Sequence, residues 1–272
     1  MTSSSASSDL APAALPRPID LTYPSNRWAV AGLLGGVVLS RLRGRSWVGS
    51  VSTGLGGFAA WAIARELDPD HTQSANVALP LTLATSLLSD DQSDAAAMGD
   101  LLAAFTALSS TRVLSATVGQ AASASDQAAL GAAAAMCAGA GQRAAALLPG
   151  AALTLSSRQA DDLAPRNDWS GPAALLAAVL PTVGSTRAAS RQPLSSAAIA
   201  GALLLAPQLL QYEAVETETD QGDRTISAER VAQSRQVALG GLALAAVLGG
   251  TRSALPLAVA TLSTGLRRRL AR

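Results

Sequence analysis

The feature that most constrains this chain is the placement of its charged residues. They fall in short clusters, and stretches of 13 to 19 residues between the clusters carry almost no charge. The clusters lie at 41–45, 65–70, 90–94, 158–168, 213–235 and 267–272. A helix that is apolar on all sides belongs either in the core of a large protein or in lipid. Because most helices of a 272-residue soluble fold must present one face to water, the pattern favours a protein embedded in a membrane.

Composition excludes several other classes of protein. The formal net charge is +1 and only 14% of residues are charged, which excludes a charged solvating tail. Cys137 is the single cysteine, so the chain is not a disulfide scaffold. With His71 as the single histidine, a metal site built from His and Cys is nearly excluded. No nucleotide or cofactor motif is recognisable, and we expect neither a cofactor nor a nucleic-acid partner.

The uncharged stretches predict helices that pair as hairpins, because long apolar stretches without β-branched enrichment disfavour strands. The predicted hairpins pair 28–40 with 46–64, 75–89 with 95–111, 127–142 with 144–157, 172–186 with 194–210, and 236–251 with 253–266. We therefore expect an all-α fold, a multi-pass transmembrane bundle of about five helical hairpins containing roughly 9–10 short helices rich in Ala, Gly and Leu.

The two ends of the chain differ from this helical membrane domain, which we assign to residues 27–266. Residues 1–26 are rich in Ser, Ala and Pro, and four prolines disfavour regular structure there. They lack the basic and apolar regions of a secretory signal peptide, and we predict a disordered tail. Residues 267–272 form a basic C-terminal tail with four arginines, which we expect to meet anionic lipid head groups.

The turns predict an orientation in the membrane. Basic residues stand in the turns at 41–45, at Arg143, at Arg187 and Arg191, and at Arg252. The positive-inside rule assigns these turns to the cytoplasm and the acidic loops at 65–73, 158–171 and 211–235 to the opposite side. Two segments fit this scheme less well, since the acidic turn at 90–94 falls inside and the tail at 267–272 falls outside.

Two other features bear on membrane insertion. The mean hydropathy of +0.28 is low for a multi-pass protein, because Ala and Gly contribute little to insertion. Such helices depend on close packing with their neighbours. Trp28, Trp47 and Trp61 stand at or near segment ends and Trp169 opens the fourth hairpin, which is the placement typical of an aromatic belt.

The loop at 65–71 is the most suggestive place for chemistry. Glu66, Asp68 and Asp70 stand beside His71, directly after an apolar helix. Oxygen ligands of this kind can bind a divalent cation, and a histidine that titrates near neutral pH can take part in acid–base catalysis. The alternative is a solvated loop in which Asp68 and Asp70 make the turn that ends the helix. No spacing specific to a known class of enzyme accompanies these residues.

Three charges are candidates for polar groups within the membrane. Asp100 and Arg112 interrupt an otherwise apolar stretch, and charges inside a membrane usually face a partner or a watery cavity. On one helix they would be about 18 Å apart and could not pair. Arg143, on the next hairpin, is the partner that we expect for Asp100, unless Asp100 lies near the interface.

Arg143, Arg187 and Arg252 each stand among small residues. Together they could form an anion site, since guanidinium groups bind phosphate or carboxylate in a bidentate manner. The alternative is that each reaches separately to the membrane interface. Cys137 lies in an Ala- and Gly-rich stretch without a basic neighbour, and we interpret it as a small packing residue.

These observations predict an integral protein of the bacterial inner membrane, with the lipid bilayer as its first partner. We expect a small permease or a membrane scaffold rather than an enzyme. One alternative is a membrane-embedded enzyme that acts on a lipid or prenyl head group through the loop at 65–71. Another is a soluble array of α-hairpins that binds a protein. The polar segment 211–235 is the predicted surface for a protein partner.

Overall fold

The computed structural model describes residues 13–90, 92–165, 167–183 and 191–271. Within these ranges the chain forms eleven helices and no strand, with one isolated antiparallel bridge between Glu218 and Thr225. The prediction of an all-α fold is confirmed. The helices are α1 (Pro24–Leu42), α2 (Trp47–Leu67), α3 (Thr72–Leu88), α4 (Asp94–Ser115), α5 (Ala124–Gly139), α6 (Arg143–Ser157), α7 (Ser170–Ala178), α8 (Pro193–Leu204), α9 (Ala206–Leu209), α10 (Ala228–Leu248) and α11 (Leu255–Leu270).

Successive passes of the chain run in opposite directions, so their turns gather at two ends of the molecule. At one end, Arg45 follows α1 and donates to the carbonyl of Ser89, after α3, at 2.7 Å. At the other end, the amide of Asp220, after α9, donates to the carbonyl of Thr117, after α4, at 3.0 Å. We call the turns after α1, α3, α5, α7 and α10 the Arg45 end. The turns after α2, α4, α6 and α9, with residues 13–23 and the last turn of α11, are the Glu66 end.

Local sequence signals explain where several helices begin. The Ser46 hydroxyl accepts from the amide of Gly49 at 2.9 Å and caps α2. Ser123 and Asp126 form a reciprocal capping box at the start of α5. Prolines stand in the first turn of α1, α8 and α11, where a missing amide hydrogen costs nothing.

Several helix boundaries differ from the predicted ones. The segment predicted at 172–186 is helical only in α7, which has nine residues, while residues 184–190 lie outside the described ranges. The segment predicted at 194–210 is divided into α8 and α9 around Leu205. Helix α10 begins at Ala228 rather than at 236, because Ser227 caps it and its first polar turns contact other parts of the chain.

Residues 13–23 lie against the bundle although they form no regular element. The amide of Ala14 donates to Asp126 at 2.9 Å, and the carbonyl of Leu15 accepts from Arg112 at 2.7 Å. The rest of the segment that we predicted as disordered, residues 1–12, is outside the described ranges. At the other terminus, α11 continues to Leu270, so most of the basic segment 267–272 is helical; Arg272 is not described.

Glycine allows the central helix α2 to approach α1 closely. A Cβ atom at Gly54 would come within 2.4 Å of the carbonyl oxygen of Leu33 and within 2.7 Å of Val37. A Cβ atom at Gly36 would lie 3.1 Å from the Cα atom of Gly54. Close approach of backbones at small residues increases the packing contact between two helices. The pairing of α1 with α2 therefore requires glycine at these positions.

Several large apolar side chains are exposed on the surface, while several charged side chains are buried in the interior. Leu42, Leu204 and Val247 are more than 75% exposed, whereas the side chains of Glu66 and Arg230 are at most 1% exposed. Some buried hydroxyl groups donate to carbonyls of their own helix, as those of Thr53, Ser110 and Thr261 do. Among the helices of the described ranges, only Ala228–Leu248 has both the length and the hydropathy needed to cross a membrane, and 44% of its apolar window is buried.

Candidate functional site

Glu66 lies at the last turn of α2 and is completely buried. Its carboxylate accepts from Arg112 Nε at 2.8 Å, from Ser115 Oγ at 2.9 Å and from Thr117 Oγ1. Arg17 lies 3.7 Å away. These contacts join α2 to the end of α4 and to residues 13–23. Arg112 therefore has a partner 46 residues earlier in the chain.

Asp68, directly after α2, is 1% exposed and also has several donors. Arg267 of α11 binds both of its oxygens, at 2.5 and 3.0 Å. The hydroxyl of Ser74 donates to the same carboxylate, and Nδ1 of His71 lies 3.2 Å from it. Arg267 also binds Glu213, at 2.7 and 3.0 Å. These bidentate pairs join the end of α2, the last turn of α11 and the loop before α10.

Asp70 faces a different part of the chain from Asp68. It accepts from the amide of Thr217 at 2.8 Å, from the Thr217 hydroxyl at 2.5 Å and from the amide of Glu216 at 3.2 Å. Partial burial acts to raise the pKa of Asp70, but the donors from Thr217 and Glu216 outweigh it and hold the pKa below its ordinary value. Asp70 thus fixes the segment 211–235, which we predicted as a partner surface, against the loop after α2.

The structure brings Asp68 and His71 together but directs Glu66 and Asp70 to separate sets of donors. In the described part of the chain, no group of three or more His, Cys, Asp and Glu side chains is placed to hold a metal ion. The carboxylate oxygens face arginines, hydroxyl groups and amides that already occupy them. Chemically, this arrangement suits the joining of distant segments.

Asp100 lies in the second turn of α4, near the Arg45 end. Its partner is Arg252, whose Nε atom is 3.5 Å from Oδ2, and Gln142 donates to Oδ1 at 3.4 Å. The expected partner, Arg143, instead donates to the carbonyls of Ala178 and Leu180, at 3.3 and 2.5 Å, and so caps the end of α7. Arg143 and Arg252 are thus engaged at different places, and Arg187 lies outside the described residues.

A polar cavity of about 50 Å³ opens beside Asp100 where several helices meet. Its wall includes Arg252 and Arg45, with side chains from α2, α3, α4 and α11 and the residue before α8. Arg45 donates to the carbonyl of Ser86 at 2.7 Å and to Thr53 Oγ1 at 3.2 Å. The volume has room for a few water molecules, and the polar wall offers them hydrogen-bond partners.

Sequence reasoning missed a larger cavity, of about 440 Å³, at the Glu66 end. Its wall combines residues 17–26 with the last turns of α2 and α4, and it contains Arg65, Phe58 and Trp61. We predicted residues 1–26 as disordered, and this segment supplies six of the fifteen residues in the wall. An aromatic pair followed by arginine at the end of α2 was the available signal.

Sequence reasoning also missed the buried arginines of α10, since 211–235 was interpreted as a polar partner segment. Arg230 binds Asp161 at 2.6 and 2.7 Å, and Arg235 donates to the carbonyl of Leu67 at 2.8 Å. The hydrogen bond from Arg230 is the main cause that holds the pKa of Asp161 below its ordinary value.

No family model, curated protein or solved structure matches this chain.

Proposed function

We propose that this chain is a multi-pass protein of the bacterial inner membrane and acts as a small permease. The distribution of polarity between the two ends and the middle of the bundle supports a membrane location. The polar cavity beside Asp100 is the observation that carries the permease proposal.

Charge-free helical stretches of suitable length support the membrane location. Helix α3 has no charged residue, and α2 has none over the 18 residues from 47 to 64. At 1.5 Å per residue, 18 residues extend about 27 Å, close to the roughly 30 Å of a bilayer hydrocarbon core. Between the Arg45 end and the Glu66 end, α2 therefore has about the length of a bilayer core and carries no charge over it, and α3 carries no charge at all.

The exposed surface supports the same proposal. Large apolar side chains such as Leu34, Val51 and Val77 are exposed on the helices between the two ends. Exposed apolar surface of this extent indicates contact with protein or lipid. Trp28 and Trp47 are also exposed, and they lie at opposite ends of the bundle, as expected for aromatic side chains at two membrane interfaces.

The low hydropathy of most helices follows from their content of Ala, Gly, Ser and Thr. Such residues add little to insertion, but they allow the close helix contacts that stabilise a bundle in lipid. Helices α7, α8 and α9 are shorter than a bilayer core, because nine, twelve and four residues extend only about 14, 18 and 6 Å.

The positive-inside rule assigns the Arg45 end to the cytoplasm. The basic last turn of α11 then lies on the outer side, which conflicts with the rule if its charges are free. Arg267 and Arg268 are paired with Asp68 and Glu213. Because these pairs neutralise two of the three arginines in the last turn of α11, they reduce the conflict with this orientation.

The permease proposal rests on the cavity that Asp100 shares with Arg252. An ionisable group among apolar helices is expensive in a membrane and usually marks the path of an ion or a polar solute. The cavity begins at the Arg45 end and is bordered by Ser52 and Thr53 of α2. The carboxylate of Asp100 and the hydroxyl groups of Ser52 and Thr53 can bind a small polar solute in transit. The carboxylate can also bind a proton.

Extraction with alkaline carbonate tests the membrane location. We expect the full chain, expressed in bacteria, to stay in the washed membrane pellet and to require detergent for release. Release into the carbonate supernatant would contradict the proposal and favour the soluble array of hairpins.

Flux measurements in proteoliposomes test the permease proposal. The probes are protons, chloride and urea, each followed against protein-free vesicles. We expect faster flux of at least one probe, and a decrease of about tenfold or more in Asp100→Asn, which loses a charged hydrogen-bond partner worth roughly 1.5 kcal/mol. Asp168→Asn, in an exposed loop, is the matched control and should keep the flux of the natural chain. Correct insertion without flux of any probe would contradict the permease and favour the scaffold.

A further inference from the structure

We infer that the 440 Å³ cavity at the Glu66 end binds the zwitterionic head group of a phospholipid, a phosphate ester that also carries an ammonium group. The inference rests on the proposed membrane location. The phosphate would bind Arg65, and the ammonium group would bind Asp20 and Glu218. A volume of about 440 Å³ lies within the range of small-molecule sites, about 300 to 1,000 Å³.

Arg65 is the side chain that we expect to bind the phosphate. Its Nε atom is buried and has no hydrogen-bond partner, and in the described part of the chain its guanidinium forms no ion pair. Its one specific contact is with the ring of Trp61, whose centroid lies 5.8 Å from Cζ. A buried donor without an acceptor costs free energy and usually indicates a missing partner. A phosphate oxygen supplies such a partner, since guanidinium binds phosphate through charged hydrogen bonds.

The other two arginines of the cavity are already neutralised. Arg17 pairs with Asp220, which also lies in the wall. Arg112 pairs with Glu66, which lies behind the wall. Arg65 is therefore the arginine of this cavity that has no ion-pair partner among the described residues.

The carboxylates at the cavity exclude a simple anion as the best ligand. Asp20 and Glu218 border the cavity and are exposed, and among the described residues neither has a cation within ion-pairing distance. Both would repel a ligand that is only anionic. A ligand with an ammonium group beside its phosphate complements these carboxylates as well as Arg65.

The apolar residues around the cavity favour a lipid as the source of this head group. The rings of Phe58 and Trp61 form part of the wall, with centroids 5.7 Å apart. Ile19, Leu21 and Tyr23 are 45%, 55% and 62% exposed on the segment that covers the cavity. In the proposed orientation this segment lies at the outer interface, where acyl chains adjoin the head group.

Calorimetric titration of the full chain in detergent tests the inference. The probes are dihexanoyl phosphatidylethanolamine, dihexanoyl phosphatidylglycerol and free phosphoethanolamine. We expect the ethanolamine lipid to bind about tenfold more tightly than the glycerol lipid, which corresponds to about 1.4 kcal/mol. Equal or tighter binding of the glycerol lipid would overturn the zwitterionic assignment. Binding of free phosphoethanolamine as tight as that of its lipid would support the charge pattern and overturn the lipid source.

Two variants locate the binding. Arg65→Gln should weaken binding of the ethanolamine lipid about tenfold, because it removes the charge that meets the phosphate. Arg43→Gln, an exposed arginine at the opposite end, is the matched control and should bind normally. Normal binding by Arg65→Gln would overturn the site.

The double variant Asp20→Asn with Glu218→Gln changes exposed side chains, so it should fold even if Arg65→Gln does not. It should bind the two lipids with nearly equal affinity, and a preserved preference for ethanolamine would overturn the role of these carboxylates. Failure of lipid binding in a chain that stays in carbonate-washed membranes would refute this inference alone. If the chain is released by carbonate, the proposed location fails, while the titration with free phosphoethanolamine still tests the cavity.

Discussion

Buried carboxylates at the Glu66 end are surrounded by donors from segments that are distant in sequence. Asp68 has Arg267, Ser74 and His71, and Glu66 has Arg112 with two hydroxyl groups. A charge removed from water is stable in a protein only when partners occupy its lone pairs. These residues therefore determine which segments meet at this end.

Asp68→Asn should destabilise the protein strongly, by about 3 kcal/mol, because Arg267 keeps its charge in a largely buried position and loses half of its partners. The measurement is the midpoint of thermal unfolding in detergent. Asp168→Asn serves as the control and should change stability by less than about 0.5 kcal/mol, as is usual for exposed positions. An equal midpoint for Asp68→Asn would show that the pair contributes nothing.

Because of Asp161, we expect the free energy of unfolding to depend on pH. Its hydrogen bonds from Arg230 hold its pKa below the ordinary value, so the unfolded chain takes up a proton first as the pH falls. The resulting stabilisation is complete above the pKa that Asp161 has in the unfolded chain, about 4. It is lost as the pH falls through the lower pKa that Asp161 has in the folded protein. We expect the stability difference between the natural chain and Asp161→Asn to be constant above about pH 5 and to shrink below about pH 4. A difference that grows on acidification would contradict this assignment.

At the scale of single elements, packing depends on the faces where helices touch. Gly54 of α2 meets the backbone of α1, whereas a Cβ atom at Gly35 of α1 would meet nothing within 4 Å. The same substitution at the two positions therefore has opposite expected effects.

Gly54→Ala should destabilise the protein by about 2 kcal/mol, since the added atom overlaps a carbonyl oxygen that cannot move without shifting α1. Gly35→Ala should stabilise it by roughly 0.5 to 1 kcal/mol through helix propensity. Chemical or thermal unfolding of both variants in the same detergent provides the measurement. A stabilising Gly54→Ala would mean that the two helices are farther apart than the structure describes.

Most helices could be predicted from the sequence because charge clusters mark the turns. The turns at Arg45 and Asp90 lie where the clusters indicate, and another turn lies directly before the single charge of Arg143. The early start of α10 could not be predicted from apolarity, because its first turns contain Glu229, Arg230 and Arg235. Those polar residues are helical because they bind other segments of the chain. No pattern in the local sequence indicates such contacts.

At the scale of the whole molecule, the chain alternates between the two ends, and its basic turns at 41–45, at Arg143 and at Arg252 share the Arg45 end. The pairs that form the Glu66 end lie far beyond the reach of sequence patterns, since Asp68 and Arg267 are 199 residues apart. This is why the loop at 65–71 could be singled out while its partners could not. The carboxylates alone indicated a solvated loop or a ligand site.

Cysteine labelling tests the proposal that the two ends lie on opposite sides of a membrane. Cys137→Ala, at a completely buried position, gives a background without cysteine. On this background we expect Asp168→Cys to react with a membrane-impermeant maleimide in intact spheroplasts, and Asp90→Cys to react only after permeabilisation. The reverse pattern would invert the orientation, and labelling of both positions in intact spheroplasts would contradict separation by a bilayer.

The contact between Asp68 and Arg267 also has a consequence for biosynthesis. The ribosome makes the acidic partner 199 residues before the basic one, a delay of about 10 to 40 s at elongation rates of roughly 5 to 20 residues per second. During that interval the carboxylate must stay hydrated or bind a temporary cation. Burial of this carboxylate therefore has to follow the synthesis of α11, because a charge removed from water needs a partner.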